Sequence, residues 1–165
     1  MFPCERVGLD FLGSAPYRVT TSVDLPVSPE QLFDVLTDVS AWPQWFDVIE
    51  TATWISPEPR GVGSTRTISM RRGGVATEEF IAWKPHSHLA FRFNECSDVR
   101  AGACAEEYRI EATDRGCRLV WTVAQSPVDP PWPARVLAKS VMKRKYRASA
   151  AELRCYLDRR FGVAI

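Results

Sequence analysis

Three charged side chains fall on predicted strands whose other inward positions are apolar. Side chains alternate along a strand and hairpin partners share a face, so the turns decide which residues point the same way. Pairing across the RRGG, KPHSH and TDRG turns sets Arg66 opposite Glu79, Glu79 opposite Phe93, and Glu106 opposite Val123. This register predicts that Arg66, Glu79 and Glu106 form one cross-strand row on the inward face of a sheet.

A buried row of two carboxylates and a guanidinium needs a reason, because charge in an apolar interior is costly unless it is paired. One interpretation is a polar patch that orients the head group of a ligand, or a carboxylate whose pKa burial raises for proton transfer. The other is an ion pair of Arg66 with Glu79 at the wet rim, with Glu106 reaching water. Tyr108 and Tyr146 are further acid or base candidates.

The same register predicts an apolar inward face and a charged outward face. The inward residues are Ile68, Met70, Ile81, Trp83, Leu89, Phe91, Phe93, Tyr108, Ile110, Leu119, Trp121 and Val123. The outward residues are Glu78, Arg92, Glu107, Arg109, Glu111 and Arg118. A molecule held on the inward face would therefore contact mainly aromatic side chains.

Seven strands, two short helices and one long helix carry these positions. Runs of β-type sequence predict strands at 17–25, 48–55, 62–70, 76–83, 88–94, 104–112 and 117–125. Ser28 as N-cap, Pro29 at the first helical position and Gln31 at the third form a capping-box pattern that predicts a helix over 29–37. A long helix over 133–160 has its apolar stripe at Met142, Tyr146, Ala150, Leu153 and Leu157.

The segment AWPQWF, just after the first of these helices, concentrates aromatic surface where a helix breaks. A curved antiparallel sheet cannot bury its concave face alone, so the long helix must cross it and the short helices must close one end. Trp42, Trp45 and Phe46 are predicted to fill the space between the sheet end and the long helix. They are core residues, ligand contacts or both, since in such an arrangement the core and the cavity wall are one surface.

Composition limits the class of protein. A length of 165 residues with 45% hydrophobic content predicts one globular domain. Five scattered cysteines without a CxxC pair argue against a disulfide framework or a zinc ribbon, and they favour the cytoplasm. Charges at Glu5, Arg6 and Asp10 interrupt the apolar run that a signal peptide needs. His86 and His88 lack a further ligand at a recognisable spacing, so we expect neither a metal nor a cofactor.

Basic residues are concentrated in the long helix, although the formal net charge of the chain is only +1. Leu137 and Val141 lie among them, on the side of the helix opposite its apolar stripe. This second apolar patch predicts contact with an anionic membrane, a partner protein or a second subunit, or else it is an ordinary solvated face. Nucleic acid is disfavoured, because the excess charge is confined to one element without an exposed aromatic platform.

The motifs together resemble a known family. SPEQLFDVLTDVSAWPQWF, GVGSTR, TEEFIAWKP, HLAFRF and MKRKYRASAAELRCYLD, in this order, are similar to the START-like helix-grip (SRPBCC) superfamily in its polyketide cyclase/dehydrase and lipid-transport branch. The resemblance implies an α+β fold in which a seven-stranded curved antiparallel sheet wraps around the long C-terminal helix, with two short helices after the first strand. Residues 17–161 would form this single domain and residues 1–16 an N-terminal extension.

The resemblance also implies an internal cavity that accepts a lipid, a polyketide or another hydrophobic small molecule. The residues expected to contact it are Trp45, Phe46, Ile49, Arg66, Ile68, Glu79, Ile81, Trp83, Phe91, Phe93, Glu106, Tyr108, Trp121, Lys139, Met142 and Tyr146. A helical wheel turns Arg135 and Lys139 towards the same mouth, which predicts a mixed-charge collar there with Arg66 and Glu79.

The resemblance and the surface of the long helix together lead to three functional hypotheses. The first is a carrier or sensor of a hydrophobic small molecule, the second a polyketide cyclase or dehydratase, and the third a membrane- or protein-interaction module. Aromatase/cyclase members of the family carry a tyrosine after the WP motif and an arginine before the proline of the middle hairpin. Those places hold Ile49 and Trp83 here, a departure that argues against the same ring-closing chemistry.

Overall fold

A curved sheet of seven antiparallel strands crossed by one long helix forms the body of the protein. The computed structural model describes residues 1–129 and 132–162, with the side chains of 132–136 and 138 outside that description. Its strands are β1 Phe2–Pro3, β2 Tyr17–Leu25, β3 Ile49–Trp54, β4 Thr65–Met70, β5 Val75–Lys84, β6 His88–Cys96, β7 Ala103–Thr113 and β8 Gly116–Ser126. The sheet order is β2-β8-β7-β6-β5-β4-β3, and the two-residue β1 adds to β6.

The helices are α1 Phe11–Ser14, α2 Pro29–Thr37, α3 Trp42–Trp45 and α4 Trp132–Phe161. The capping box of α2 is formed, because the backbone N–H of Gln31 donates to the Ser28 hydroxyl at 3.3 Å and that of Ser28 donates to the Gln31 side chain at 2.9 Å. The indole N–H of Trp42 donates to the carbonyl of Leu36 at 3.0 Å and so holds α3 against α2. The predicted helix over 29–37 and the two short helices after the first long strand are confirmed.

α4 lies across the concave face of the sheet with the predicted stripe turned inward. Its buried residues in the described part are Met142, Tyr146, Ser149, Ala150, Leu153, Tyr156 and Leu157. The guanidinium of Arg154 donates to the Asp24 carbonyl at 3.5 Å, and Arg160 pairs with Asp38 at 3.2 Å. These contacts fix the C-terminal half of the helix to β2 and to the end of α2.

Residues 1–16 cover the opposite, convex face of the sheet. β1 pairs with the end of β6, and the guanidinium of Arg92 donates to the Val7 carbonyl at 3.0 Å. Val7 and Leu12 pack on a patch of small side chains: Ala82, Ala90, Ala103, Ala105 and Ala124. Alanines on neighbouring strands leave a shallow surface on which the segment comes close to the sheet.

The register of the β4–β5 hairpin differs by one residue from our prediction. Met70 pairs its backbone N–H with the carbonyl of Gly74, so the loop is Arg71–Gly73, and Gly73 takes the left-handed conformation at φ +77° that a three-residue loop requires. Arg66 therefore lies opposite Glu78 rather than Glu79. Because the side-chain period of a strand is two, this single residue exchanges the faces of Glu78 and Glu79.

Irregularities in β5 also shift the register, one of them between Phe80 and Ala82. As a result Phe80, not Ile81, joins the inward core, and Ile81 packs with the alanines on the convex face. Beyond the bulge Trp83 is again opposite Leu89, as predicted across KPHSH. The prediction of Ile81 as an inward residue was wrong, because it rested on the same one-residue error in the β4–β5 register, and the bulge restores the predicted face only from Trp83 onwards.

Shortening a side chain of α4 should lower stability strongly on the buried side of the helix and hardly at all on the exposed side. Leu153 is fully buried at 0% exposure, whereas Leu137 is 58% exposed. We expect Leu153→Ala to lower the free energy of unfolding by about 2–5 kcal/mol, the usual cost of a core truncation. Leu137→Ala, the matched control on the same helix, should change it by less than about 0.5 kcal/mol. Urea unfolding of both variants measures this, and equal losses would contradict the packing of α4.

Candidate functional site

Aromatic rings on the concave face form one connected cluster. The ring of Trp45 stacks on Phe46 with centroids 5.4 Å apart, and Phe46 meets Trp121 edge-on at 5.5 Å. Trp121 in turn stacks on Tyr108 at 5.2 Å and meets Tyr146 of α4 at 5.1 Å. The AWPQWF segment therefore does what its composition predicts: it connects the aromatic face of the sheet to the long helix.

A guanidinium lies inside this aromatic cluster. Arg66 is fully buried, and its Cζ is 4.1 Å from the ring centroid of Trp42, 4.7 Å from that of Phe91 and 5.2 Å from that of Phe80. Its Nε donates to the Glu78 carboxylate at 2.5 Å. An exposed arginine is stabilised by hydration. Here the three aromatic faces and the Glu78 carboxylate replace part of that hydration.

The carboxylate of Glu78 is equally enclosed. Burial raises its pKa to about 7, although the attraction and the hydrogen bond of Arg66 act in the opposite direction. The nearby charge of Glu106 raises this pKa further. Glu78 is therefore a carboxyl group that exchanges a proton near neutral pH, in a position where solvent has little access.

Glu106 is the second buried carboxylate on the concave face, opposite Phe91 and Val123. The hydroxyl of Tyr108 donates to its Oε2 at 2.7 Å, and the indole N–H of Trp121 donates to the same oxygen at 3.0 Å. Burial raises the pKa of Glu106 despite these two hydrogen bonds. Burial, together with the neighbouring charge of Glu106, raises the pKa of the Tyr108 phenol well above its usual value.

Four buried polar atoms on this face have no hydrogen-bond partner among the described residues. They are Oγ1 of Thr21, Nε1 of Trp45, and Nη1 and Nη2 of Arg66. Thr21 faces the interior because it pairs with Trp121 across β2 and β8. Buried polar groups in folded proteins are nearly always paired, so four such atoms on the concave face are unusual.

Most residues of the predicted site lie together. The buried cluster on the concave face contains Trp45, Phe46, Ile49, Ile68, Phe91, Phe93, Tyr108, Trp121, Met142 and Tyr146, with Trp83 packed against it. Arg66 and Glu106 are buried on the same face. The cluster is the surface on which we predicted a ligand, and an enclosed pocket there stays a prediction.

The predicted pairing of Arg66 with Glu79 was wrong, and Glu79 does not face the cluster. Its carboxylate accepts hydrogen bonds from Asn94 at 2.7 Å and from Arg92 at 3.1 Å on the convex face. These interactions, that of Asn94 first, lower the pKa of Glu79 below its usual value. The mixed-charge collar that we predicted from Glu79 is therefore replaced by a fully buried Arg66–Glu78 pair.

Two cations of α4 were also predicted at this site. Lys139 is exposed and does not join the buried cluster, so its contact with a ligand stays a prediction. The side chain of Arg135 lies outside the described residues. Lys145, which we did not predict, has its Nζ 5.5 Å from the ring centroid of Tyr146 and 6.0 Å from that of Phe46, at the edge of the cluster.

Glu78, Phe80, Trp42 and Thr21 are the site residues that sequence reasoning missed. The signal for Glu78 and Phe80 was present in the RRGG turn, since a glycine at the third position of a three-residue loop is typical of one hairpin register. Trp42 was recognised as aromatic filling but not as a face for Arg66. Thr21 carried no signal, because a threonine on a strand is an ordinary residue.

Comparison with known proteins agrees with this fold. The family described as Polyketide cyclase / dehydrase and lipid transport matches residues 16–158. Uncharacterized proteins of Mycobacterium tuberculosis and Mycobacterium bovis are 51% identical to the chain over 164 residues, which covers 99% of this chain and 98% of each relative. The chain belongs to the polyketide cyclase / dehydrase and lipid transport family.

Solved structures with the same fold include a START superfamily protein and an aromatase/cyclase. A START superfamily protein from Mycobacterium smegmatis superposes with a TM-score of 0.74 at 14% identity, covering 87% of this chain and 98% of that one. The Zhui aromatase/cyclase from Streptomyces sp. R1128 superposes with a TM-score of 0.72 at 17% identity, covering 87% and 94%. At these identities the likeness shows the fold alone.

The described part of the chain offers neither a cluster of metal ligands nor a membrane-spanning helix. No three His, Cys, Asp or Glu side chains there converge in a way that could hold a metal ion. None of the described helices combines the length and the apolar character that crossing a bilayer requires.

The two adjacent glutamates should respond to pH in different ways. The pKa of Glu78 is raised in the folded protein. The stabilisation that this group contributes is therefore fully present at a pH below its pKa in the unfolded chain, and it is lost as the pH rises through about 7. Ionising this carboxyl group should cost about 3 kcal/mol at most. As the pH rises from 5 to 8, the free energy of unfolding of Glu78→Gln should increase relative to that of the natural protein by up to this amount. Urea unfolding across that pH range measures the difference.

Glu79→Gln is the matched control. The pKa of Glu79 is lowered in the folded protein. The stabilisation that this group contributes is therefore present at a pH above its pKa in the unfolded chain, and it is lost only as the pH falls through its lower pKa in the folded protein. Between pH 5 and pH 8 the difference between this variant and the natural protein should stay constant. A pH-dependent difference for Glu79→Gln, or a constant one for Glu78→Gln, would reverse our assignment of faces.

Proposed function

We propose that the protein binds an apolar small molecule that carries a hydrogen-bond acceptor, as a carrier or sensor. The observation that carries this proposal is the set of four partnerless polar atoms, Thr21 Oγ1, Trp45 Nε1 and the two Nη atoms of Arg66, within an aromatic surface. Small-molecule sites typically combine an apolar lining with a few polar groups that fix orientation. The family, whose description includes lipid transport, supports the same class of ligand.

The donors define what the ligand must offer. Trp45 Nε1 and the Nη atoms of Arg66 only donate, and the hydroxyl of Thr21 donates or accepts. A carbonyl, carboxyl or hydroxyl oxygen therefore fits, whereas an ammonium group would meet the cation of Arg66. The rest of the molecule would contact the rings of Trp45, Phe46 and Trp121. Lipids and polyketides with an oxygen function meet both requirements, and the cytoplasm stays our prediction for where binding occurs.

Native mass spectrometry of the purified protein tests retention of such a molecule. Two double variants then separate the faces of the sheet: Arg66→Met with Glu78→Met removes the buried pair, and Arg92→Met with Glu79→Met removes the pair on the convex face. Replacing both partners avoids leaving one unpaired buried charge. We expect the inner double variant to bind the retained molecule at least about tenfold more weakly, corresponding to about 1.4 kcal/mol of lost hydrogen bonding.

The outer double variant should bind the retained molecule as the natural protein does, because Glu79 and Arg92 lie on the face away from the aromatic cluster. Titration calorimetry or tryptophan fluorescence gives both affinities. Equal loss in the two variants, or a protein that retains no small molecule and binds no fatty acid or aromatic ketone offered to it, would refute the proposal.

An enzyme of the polyketide cyclase or dehydratase type is the second candidate. The specific observation is a pair of residues: Glu106, a buried carboxyl group whose pKa is raised, and Tyr108, whose hydroxyl lies 2.7 Å from that carboxylate. Two such groups can act together in proton transfer. The family description and the fold shared with an aromatase/cyclase support it, whereas Ile49 and Trp83 stand where that type carries tyrosine and arginine.

Turnover separates this candidate from a carrier. If the protein converts a linear poly-β-ketone, Glu106→Gln should lower kcat by about 100-fold or more, the usual share of a general acid or base. Glu107→Gln is the control, because Glu107 faces the convex side and pairs with His88 and Arg109. Product analysis by liquid chromatography measures both variants. Recovery of the poly-β-ketone bound but unchanged would favour the carrier.

A further inference from the structure

One end of the sheet gathers three connections and the N-terminal strand. The backbone N–H of Val75 donates to the Ser97 hydroxyl at 2.9 Å, and that of Val128 donates to the Arg100 carbonyl at 3.0 Å. The connections 71–74, 97–102 and 126–129 are therefore neighbours, and β1 joins them through its pairing with Cys96. We call this the loop end. Since α4 follows the connection 127–129, the helix begins close to the loop end.

Large apolar side chains are exposed at the loop end and on this half of α4. Leu137 and Val141, one helical turn apart, are 58% and 62% exposed, and Val99 and Val128 are 61% and 51% exposed. Phe2 is 47% exposed at the same end. Single exposed apolar residues are normal, but a set of this kind on adjoining elements marks an interaction surface.

Exposed cations accompany Leu137 and Val141 on α4. Lys139, Lys143, Arg144, Lys145 and Arg147 are all exposed, and among the described residues none of them has a carboxylate within salt-bridge distance. Lys139 and Lys143, and again Lys143 and Arg147, are four residues apart on the helix, a spacing at which like charges destabilise it. Helix stability therefore does not explain this arrangement, whereas an anionic partner would.

Charge decides which partner fits. A second copy docked through the same face would bring Arg144, Lys145 and Arg147 against the same three cations, with no acid among the described residues of that half of the helix, so self-association is disfavoured. An anionic bilayer accepts both features, because aliphatic side chains enter the boundary of the acyl chains while lysine and arginine bind the phosphate groups. We propose that the loop end and the first half of α4 dock the protein on the surface of an anionic lipid membrane. This surface faces away from the aromatic cluster and does not depend on the proposed ligand.

Vesicle sedimentation of the full chain tests the proposal. We expect binding to phosphatidylglycerol/phosphatidylcholine vesicles, little binding to pure phosphatidylcholine, and release by high salt. The variant Lys143→Gln, Arg144→Gln, Arg147→Gln should lower the partition coefficient by about 100-fold, at roughly fivefold for each cation. Leu137→Ser with Val141→Ser should weaken binding while the salt dependence remains. Lys145 is left unchanged because it lies at the edge of the aromatic cluster.

Matched controls come from the other end of the sheet. Ile55 and Val62, in the connection between β3 and β4, are 58% and 68% exposed, and Arg115 lies exposed in the β7–β8 turn. Ile55→Ser with Val62→Ser, and Arg115→Gln, should leave vesicle binding unchanged. Absence of vesicle binding, equal binding to neutral vesicles, or equal losses in these controls would overturn the proposal. A dimer in solution that Leu137→Ser with Val141→Ser dissociates would also overturn it, in favour of a subunit interface.

Discussion

The concave face of the sheet is too apolar to be left in water, and covering it determines what the other elements do. Leu153 and Leu157 in the second half of α4 are fully buried against it, and Arg160 pairs with Asp38 at the end of α2. α3 fills the remaining gap through Trp42 and its neighbours. Each such buried side chain contributes about 1.5–3 kcal/mol, so the second half of α4 makes a large contribution to stability.

Stability does not by itself account for the charge inside this core. Replacing a buried ion pair by apolar residues of similar volume is often neutral or stabilising, so Arg66 and Glu78 are not needed to hold the sheet together. Their arrangement leaves two guanidinium nitrogens without a hydrogen-bond partner among the described residues. A buried donor without a partner destabilises the folded state, so folding alone does not favour this arrangement. A polar group held within an aromatic surface is the usual solution for orienting an apolar ligand.

The sequence predicted the elements well and the site in part. The capping box of Ser28 and Gln31 is a local signal, and the TDRG turn placed Glu106 inward, so both were predictable. The RRGG turn admits two loop lengths that differ by one residue, and the wrong choice exchanged Glu78 for Glu79. The bulge near Ile81 depends on packing between strands. The packing of residues 1–16 was not predicted either, because alanines on a strand indicate neither a buried nor an exposed face.

The first half of α4 is where the interior and the surface of the protein are closest. Val141 is exposed while its neighbour Met142 is buried, and exposed Lys145 is followed by buried Tyr146. The same turns of the helix therefore contact the aromatic cluster on one side and present cations on the other. The Nζ of Lys145 lies 6.0 Å from the ring centroid of Phe46 and 5.5 Å from that of Tyr146, so this cation belongs to the surface of α4 and to the edge of the cluster. The two binding surfaces that we propose, one inside the sheet and one outside it, share this helix, and only substitutions confined to the outward side of α4 can separate them.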